Sequence, residues 1–195
     1  MSAQESMEQA DHAKEASEVN RNIALLIAVI ALCLALSETL GKGAQTESIA
    51  KNVEASNLWA FFQAKTIRRA VVQTAAEQAK LGMTVPDDAT KAAVQKQIDE
   101  WQKTAARYRT EPGTGEGTEQ LSERAKQAEE ERDLATAKYH HFELASAAFQ
   151  IGIVLASATI ITGMIALAWI SGLLTLAGIG FTALGMFAPH LLNLP

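Results

Sequence analysis

Every one of the 17 Lys and Arg and 22 Asp and Glu residues of this chain lies before Leu144, so the last 52 of its 195 residues carry no formal charge. A soluble domain keeps charge at its surface, and an uncharged tract of Leu, Ile, Ala, Gly and Thr this long exceeds what two membrane crossings of about 20 residues each require. Residues 144–168 and 171–188 are therefore expected as two transmembrane helices, joined by a tight turn near 169–172 and followed by a short tail, 189–195. In lipid each backbone must satisfy its hydrogen bonds internally, which leaves helices as the simplest solution. A third span is expected at 22–40, where no charge falls between Arg21 and Glu38. Those 16 residues cover about 24 Å at 1.5 Å per residue, short enough that the flanking charges must reach to the interfaces. A secretory signal peptide is the rival reading of this stretch. The preceding segment, 1–21, is acidic where a signal peptide is basic, and this favours the span.

Small residues recur along all three spans at helical spacing. Ala24, Ala28, Ala31 and Ala35 form the first series, Gly152, Ala156, Thr159, Gly163 and Ala166 the second, and Ser171, Thr175, Gly178, Thr182 and Gly185 the third. Each series places a stripe of small side chains on one helix face, and such stripes let backbones approach closely in lipid, where apolar burial supplies no drive. These faces are expected to pack, within the chain or between copies.

Between the first and second spans, residues 41–143 have the Ala, Lys, Glu, Gln and Arg content of long helices and coiled coils. Punctuation divides them into helices at about 46–81, 86–110 and 119–143. Gly82 is a natural helix end, Pro86 with Asp87 and Asp88 a natural start, and the Gly-rich run 111–118 a flexible loop. Val94, Ile98, Trp101, Ala105 and Tyr108 make a two-heptad seam that needs a partner helix. Leu121, Ala125, Ala128, Arg132, Ala135, Tyr139 and Phe142 continue the same spacing into the second span without a breaker. Trp59, Phe61 and Phe62 form the densest aromatic group of the chain, read either as the core of this domain or as a contact surface for another subunit.

Motifs for chemistry are weak. Gly113, Gly115 and Gly117 lack the spacing and the following Lys that a phosphate-binding loop needs, so a turn is the better reading. His140 and Glu143, one helical turn apart, supply two metal ligands at most, and they are expected with Tyr139 and Phe142 at a membrane interface. Glu38 continues the small face of the first span and Gln150 lies inside the second; both are candidate intramembrane polar sites, and an ionisable group on a packed face can mark an ion path. The single cysteine, Cys33, excludes an intrachain disulfide framework. A net charge of −5 leaves no basic footprint for nucleic acid. No catalytic constellation, cofactor fingerprint or metal site is expected.

The blocks Asn57-Leu58-Trp59-Ala60-Phe61-Phe62-Gln63-Ala64-Lys65, Gly115-Glu116-Gly117-Thr118, Arg132-Asp133, Phe142-Glu143 and Phe149-Gln150-Ile151 together resemble the bacterial membrane proteins grouped as domain of unknown function 4337. The resemblance covers nearly the whole chain and carries no activity over. It implies a multi-pass protein of the bacterial inner membrane with a helical domain between its first and second spans. It also implies a periplasmic domain, since related turns between the last two spans carry basic residues; this chain has none there, while Arg132 and Lys138 beside the second span lean toward the cytoplasm.

The expected fold class is thus an all-α integral membrane protein with three transmembrane helices and a long, coiled-coil-like extramembrane domain. The expected function is that of a noncatalytic, homo-oligomeric scaffold or interaction protein whose partners are the lipid bilayer and copies of itself. Its packing positions are expected at Ala28, Ala31, Ala35, Trp59, Phe61, Phe62, Ile98, Trp101, Tyr108, Gly152, Ala156, Gly163, Gly178, Thr182 and Gly185. The alternatives are a channel or transporter component, with Glu38 and the threonines of the third span facing a pore, and an accessory subunit bound to other membrane proteins.

Overall fold

A computed structural model describes residues 3–82 and 87–191, with side chains from Asn20 onward. Pro86 as a helix start and the end of the tail lie outside the described residues. Four α-helices follow one another: α1 (Ala3–Leu81), α2 (Asp88–Arg109), α3 (Thr118–Thr162) and α4 (Ile165–Phe187). Three of them are long and apolar enough to cross a membrane. The described chain divides into two compact units, Met1–Ser48 with Asp133–Pro195, and Ile49–Arg132.

α1 runs without a break through the region where separate helices ending at 40 and starting at 46 are expected. Gly41 and Gly43 stand inside it, each costing about 1 kcal/mol relative to Ala. Gly41 is buried, and a Cβ there would lie 3.3 Å from the Cβ of Phe142, so the residue serves the approach of α1 to α3 rather than a helix end. Beside it the Ser37 hydroxyl donates to the Phe142 carbonyl at 3.0 Å.

In the first unit the buried face of α1 carries Ile23, Ile30, Ser37 and Ala44, spaced by seven, with Gly41 among them. Ala24, Ala28, Ala31 and Ala35 point outward instead, so the packing expected of Ala28, Ala31 and Ala35 is not made within the chain. Bulkier groups win because Ile30 fills a cluster with Ala145 and Phe149, flanked by Leu26, Cys33, Leu34, Ile153 and Phe181. α3 and α4 do pack through their small faces. The Ser171 hydroxyl donates to the Gly152 carbonyl at 2.7 Å, and Gly178 receives the Phe149 ring so closely that a Cβ would fall 2.7 Å from it. Gly185 meets Phe142 and His141 in the same way.

The turn between α3 and α4 lies at Gly163 and Met164, six residues before the expected position. Gly163 has φ +70, the left-handed conformation that only glycine adopts cheaply, and its N–H bonds the Thr159 carbonyl at 2.9 Å to cap α3. Gly163 and Ala166 consequently leave the packed face and are exposed, while 169–172 is ordinary helix.

In the second unit the Asp87 carboxylate caps α2, accepting from the N–H groups of Thr90 at 3.1 Å and Ala89 at 3.4 Å. Ile98 and Ala105 of the α2 seam are buried. The core joins Ala55 and Leu58 of α1 to Leu121, Ala125 and Ala128 of α3, with Trp59 and Phe62 against it. Trp59 and Phe62 meet edge to face at 5.4 Å, and the indole N–H donates to Glu129 at 2.9 Å.

Replacing Gly178 by Leu forces a side chain into the Phe149 ring, and overpacking of this kind costs about 1–3 kcal/mol. Thermal unfolding of the detergent-solubilised protein should therefore fall for Gly178→Leu. Gly172→Leu, whose Cβ would meet nothing within 4 Å and which removes a glycine from a helix interior, should unfold no earlier than the parent.

Candidate functional site

Within the first unit, α1 and α3 leave a polar cleft of about 480 Å³ where the apolar stretch of α1 ends. Glu38 and Lys42 line it from α1, and Tyr139, Glu143 and Gln150 from α3. Glu38 and Gln150, the two candidate intramembrane polar residues, come together here: the Gln150 amide donates to Glu38 Oε1 at 3.4 Å, and both side chains are exposed. Glu143 accepts from the Tyr139 hydroxyl at 3.4 Å and lies 3.6 Å from His140 Nδ1. The His140–Glu143 pair supplies two ligand atoms, and among the described residues no group of three His, Cys, Asp or Glu converges. Thr175 and Thr182 are each bonded within α4. Their hydroxyls donate to the carbonyls of Ser171 and Gly178 in their own helix, and Thr175 is buried.

His141, expected beside His140 at a membrane interface, is instead enclosed by the chain. It is fully buried, its Nε2 lies 3.1 Å from the Pro189 carbonyl, its ring stacks on Phe181, and its Nδ1 has no partner among the described residues. Adjacent histidines on a helix face different ways. That spacing separates His141 from His140, but nothing in it says which of the two is enclosed.

In the second unit the expected packing residues are used within the chain. Ile98 is fully buried, Trp59, Phe62, Trp101 and Tyr108 are half-buried, and Phe61 is 37% exposed. Lys65 is buried, with Nζ 3.4 Å from Glu111 and 3.3 Å from Glu116, and 5.1 Å from the centroid of the Phe61 ring. Phe61 and Lys65 stand four apart, a spacing legible in the sequence; the two loop carboxylates are not. A second cation, Lys51, lies 2.7 Å from Glu131 and 3.0 Å from Glu54. Hydrogen bonds to Glu131 and then Glu54 hold the Lys51 ammonium above its ordinary range, and the same contact with Lys51, followed by Gln127, holds Glu131 below its own.

The Gly-rich loop is stapled rather than loose. Glu119 accepts from the Thr110 hydroxyl and, at 2.8 Å, from Arg109, while the Gly115 N–H bonds the Glu111 carbonyl at 2.9 Å. The Thr110 hydroxyl first, and Arg109 second, hold the Glu119 carboxyl below its ordinary value of 4.5.

An all-α chain with three helices fit to cross a membrane, a polar cleft at the end of one apolar stretch and a stapled helical unit is thereby defined. Residues 19–188 match the family described as Domain of unknown function (DUF4337), and the chain belongs to that family. No curated protein and no solved structure matches it.

Because its folded pKa is depressed, the Glu119 staple contributes fully at neutral pH and loses its contribution as pH falls through that depressed range. At neutral pH, Glu119→Gln should speed tryptic cleavage after Arg109, followed by mass spectrometry. In the parent protein, amide exchange across 110–117, corrected for intrinsic rate, should quicken below pH 4.5.

Proposed function

We propose that this protein is a noncatalytic scaffold of the bacterial inner membrane, inserted through the apolar stretches of α1, α3 and α4, that works as an assembly of identical chains with its helical domain in the periplasm. The observation that carries this reading is where the large apolar side chains lie. Among the described residues most buried apolar positions are alanines, whereas Leu25, Leu32, Val154, Leu173 and Leu176, in the apolar stretches of α1, α3 and α4, are more than 60% exposed or close to it. Small buried groups remove little area from water, at about 25 cal/mol per Å². A chain built so relies on its surroundings, with lipid against the spans and other chains against the rest.

Light scattering on the detergent-purified protein, with the detergent contribution subtracted, should give an integral multiple of the 20.9 kDa chain. A mass of one chain at all concentrations contradicts the reading.

A further inference from the structure

Between Ile49 and Leu81, α1 turns two cations inward and one apolar face outward. The side turned to the core carries Ala55, Leu58 and Ala76, but also the cations Lys51 and Lys65, both neutralised by carboxylates of the same unit. The opposite side is apolar and open: Ile49 is 60% exposed, Val53 53%, Ile67 64%, Val71 63% and Leu81 85%. At about 100° per residue these five fall within one face about 120° wide, and no Asp, Glu, Lys or Arg shares it over those 33 residues. Ala60 and Ala64 continue the face, and its polar members, among them Ser56 and Gln78, are uncharged and exposed. A solvated helix carries its charges outward, so a face like this is built to be covered.

We infer that this face of α1 packs against the same face of a second copy of the chain, the two helices side by side and parallel. The inference rests on the self-association proposed above and names the surface that performs it. Three features select a copy over a foreign chain. An uncharged face gives a foreign partner no complementary charge to recognise, while two identical faces meet without like-charge repulsion. Parallel pairing sets Gln78, near the middle of the face, against Gln78, and carboxamides, which both donate and accept, satisfy one another. The face is also long enough. At 1.5 Å per residue it runs about 50 Å, and with a helix diameter of about 10 Å it covers about 500 Å² per copy, or about 1,000 Å² for the pair, the lower bound of a specific interface. Copies held in one bilayer share an orientation and a high effective concentration, which makes an interface of that size sufficient.

The test uses the full chain in membranes, with Cys33→Ala as background. Ile67→Cys should oxidise to a disulfide-linked species of twice the chain mass, whereas Arg124→Cys, exposed on α3 of the same unit, should not. In parallel, the double variant Ile67→Glu/Val71→Glu should lower the mass found by light scattering about twofold or more with helix content unchanged, as expected when one isologous contact is lost. Equal crosslinking at both cysteines, or none at Ile67→Cys while the parent remains oligomeric, overturns the assignment of this face and leaves self-association standing. Linkage of Ile67→Cys to a chain of different mass overturns the choice of a second copy. A monomeric parent overturns both readings.

Discussion

The Phe149 ring is the contact on which the first unit depends. It is fully enclosed, clusters with Ile30 of α1, and lies against the bare backbone of Gly178 on α4. One side chain therefore ties three helices, and it does so only because Gly178 has no Cβ. The same arrangement recurs toward the end of α4, where Gly185 receives Phe142, and toward its start, where the Ser171 hydroxyl reaches the Gly152 carbonyl. In lipid, which is as apolar as the helices themselves, such close van der Waals contact and interhelical hydrogen bonds are the forces available. The glycines of α4 are the means by which the aromatic rings of α3 are seated.

The second unit solves a different problem. Its core is thin, so burial alone stabilises it little, and charge-assisted contacts close it instead. Lys65 is enclosed because two carboxylates from the loop and the face of Phe61 replace its water. Lys51 is held between Glu54 and Glu131, one from its own helix and one from α3. Lys51 and Lys65 face inward in this way, while Ile49, Val53, Ile67, Val71 and Leu81 face outward. Opposite sides of one helix carry these cations and the proposed interface.

Much of this was legible in the residues. The Asp87 cap of α2, the end of α1 at Gly82, and the packed seam from Leu121 to Phe142 follow from capping chemistry and from spacing. So do the buried small faces of α3 and α4. What spacing cannot reveal is which of two competing faces wins. On α1 the alanine series and the series through Ile23 and Ile30 both have helical periods, and the larger groups, with the Ser37 hydrogen bond, take the interior. Nor does spacing separate one glycine from another. Gly41 serves a close approach, Gly163 ends a helix and Gly172 does neither, and the difference lies in the partners and dihedrals around each. The aromatic block reads as core or, failing that, as interface, and α3 supplies much of what covers it.

The proposal stands on the apolar stretches lying in lipid, and the chain carries its own probe. Cys33, the single thiol, lies within the α1 stretch and is half-buried by the protein. Labelling with a membrane-impermeant maleimide should leave Cys33 unmodified in sealed vesicles and in vesicles opened to both sides, and should reach completion after dissolution in denaturing detergent. Rapid modification in the opened vesicles would place this stretch in water and contradict the account.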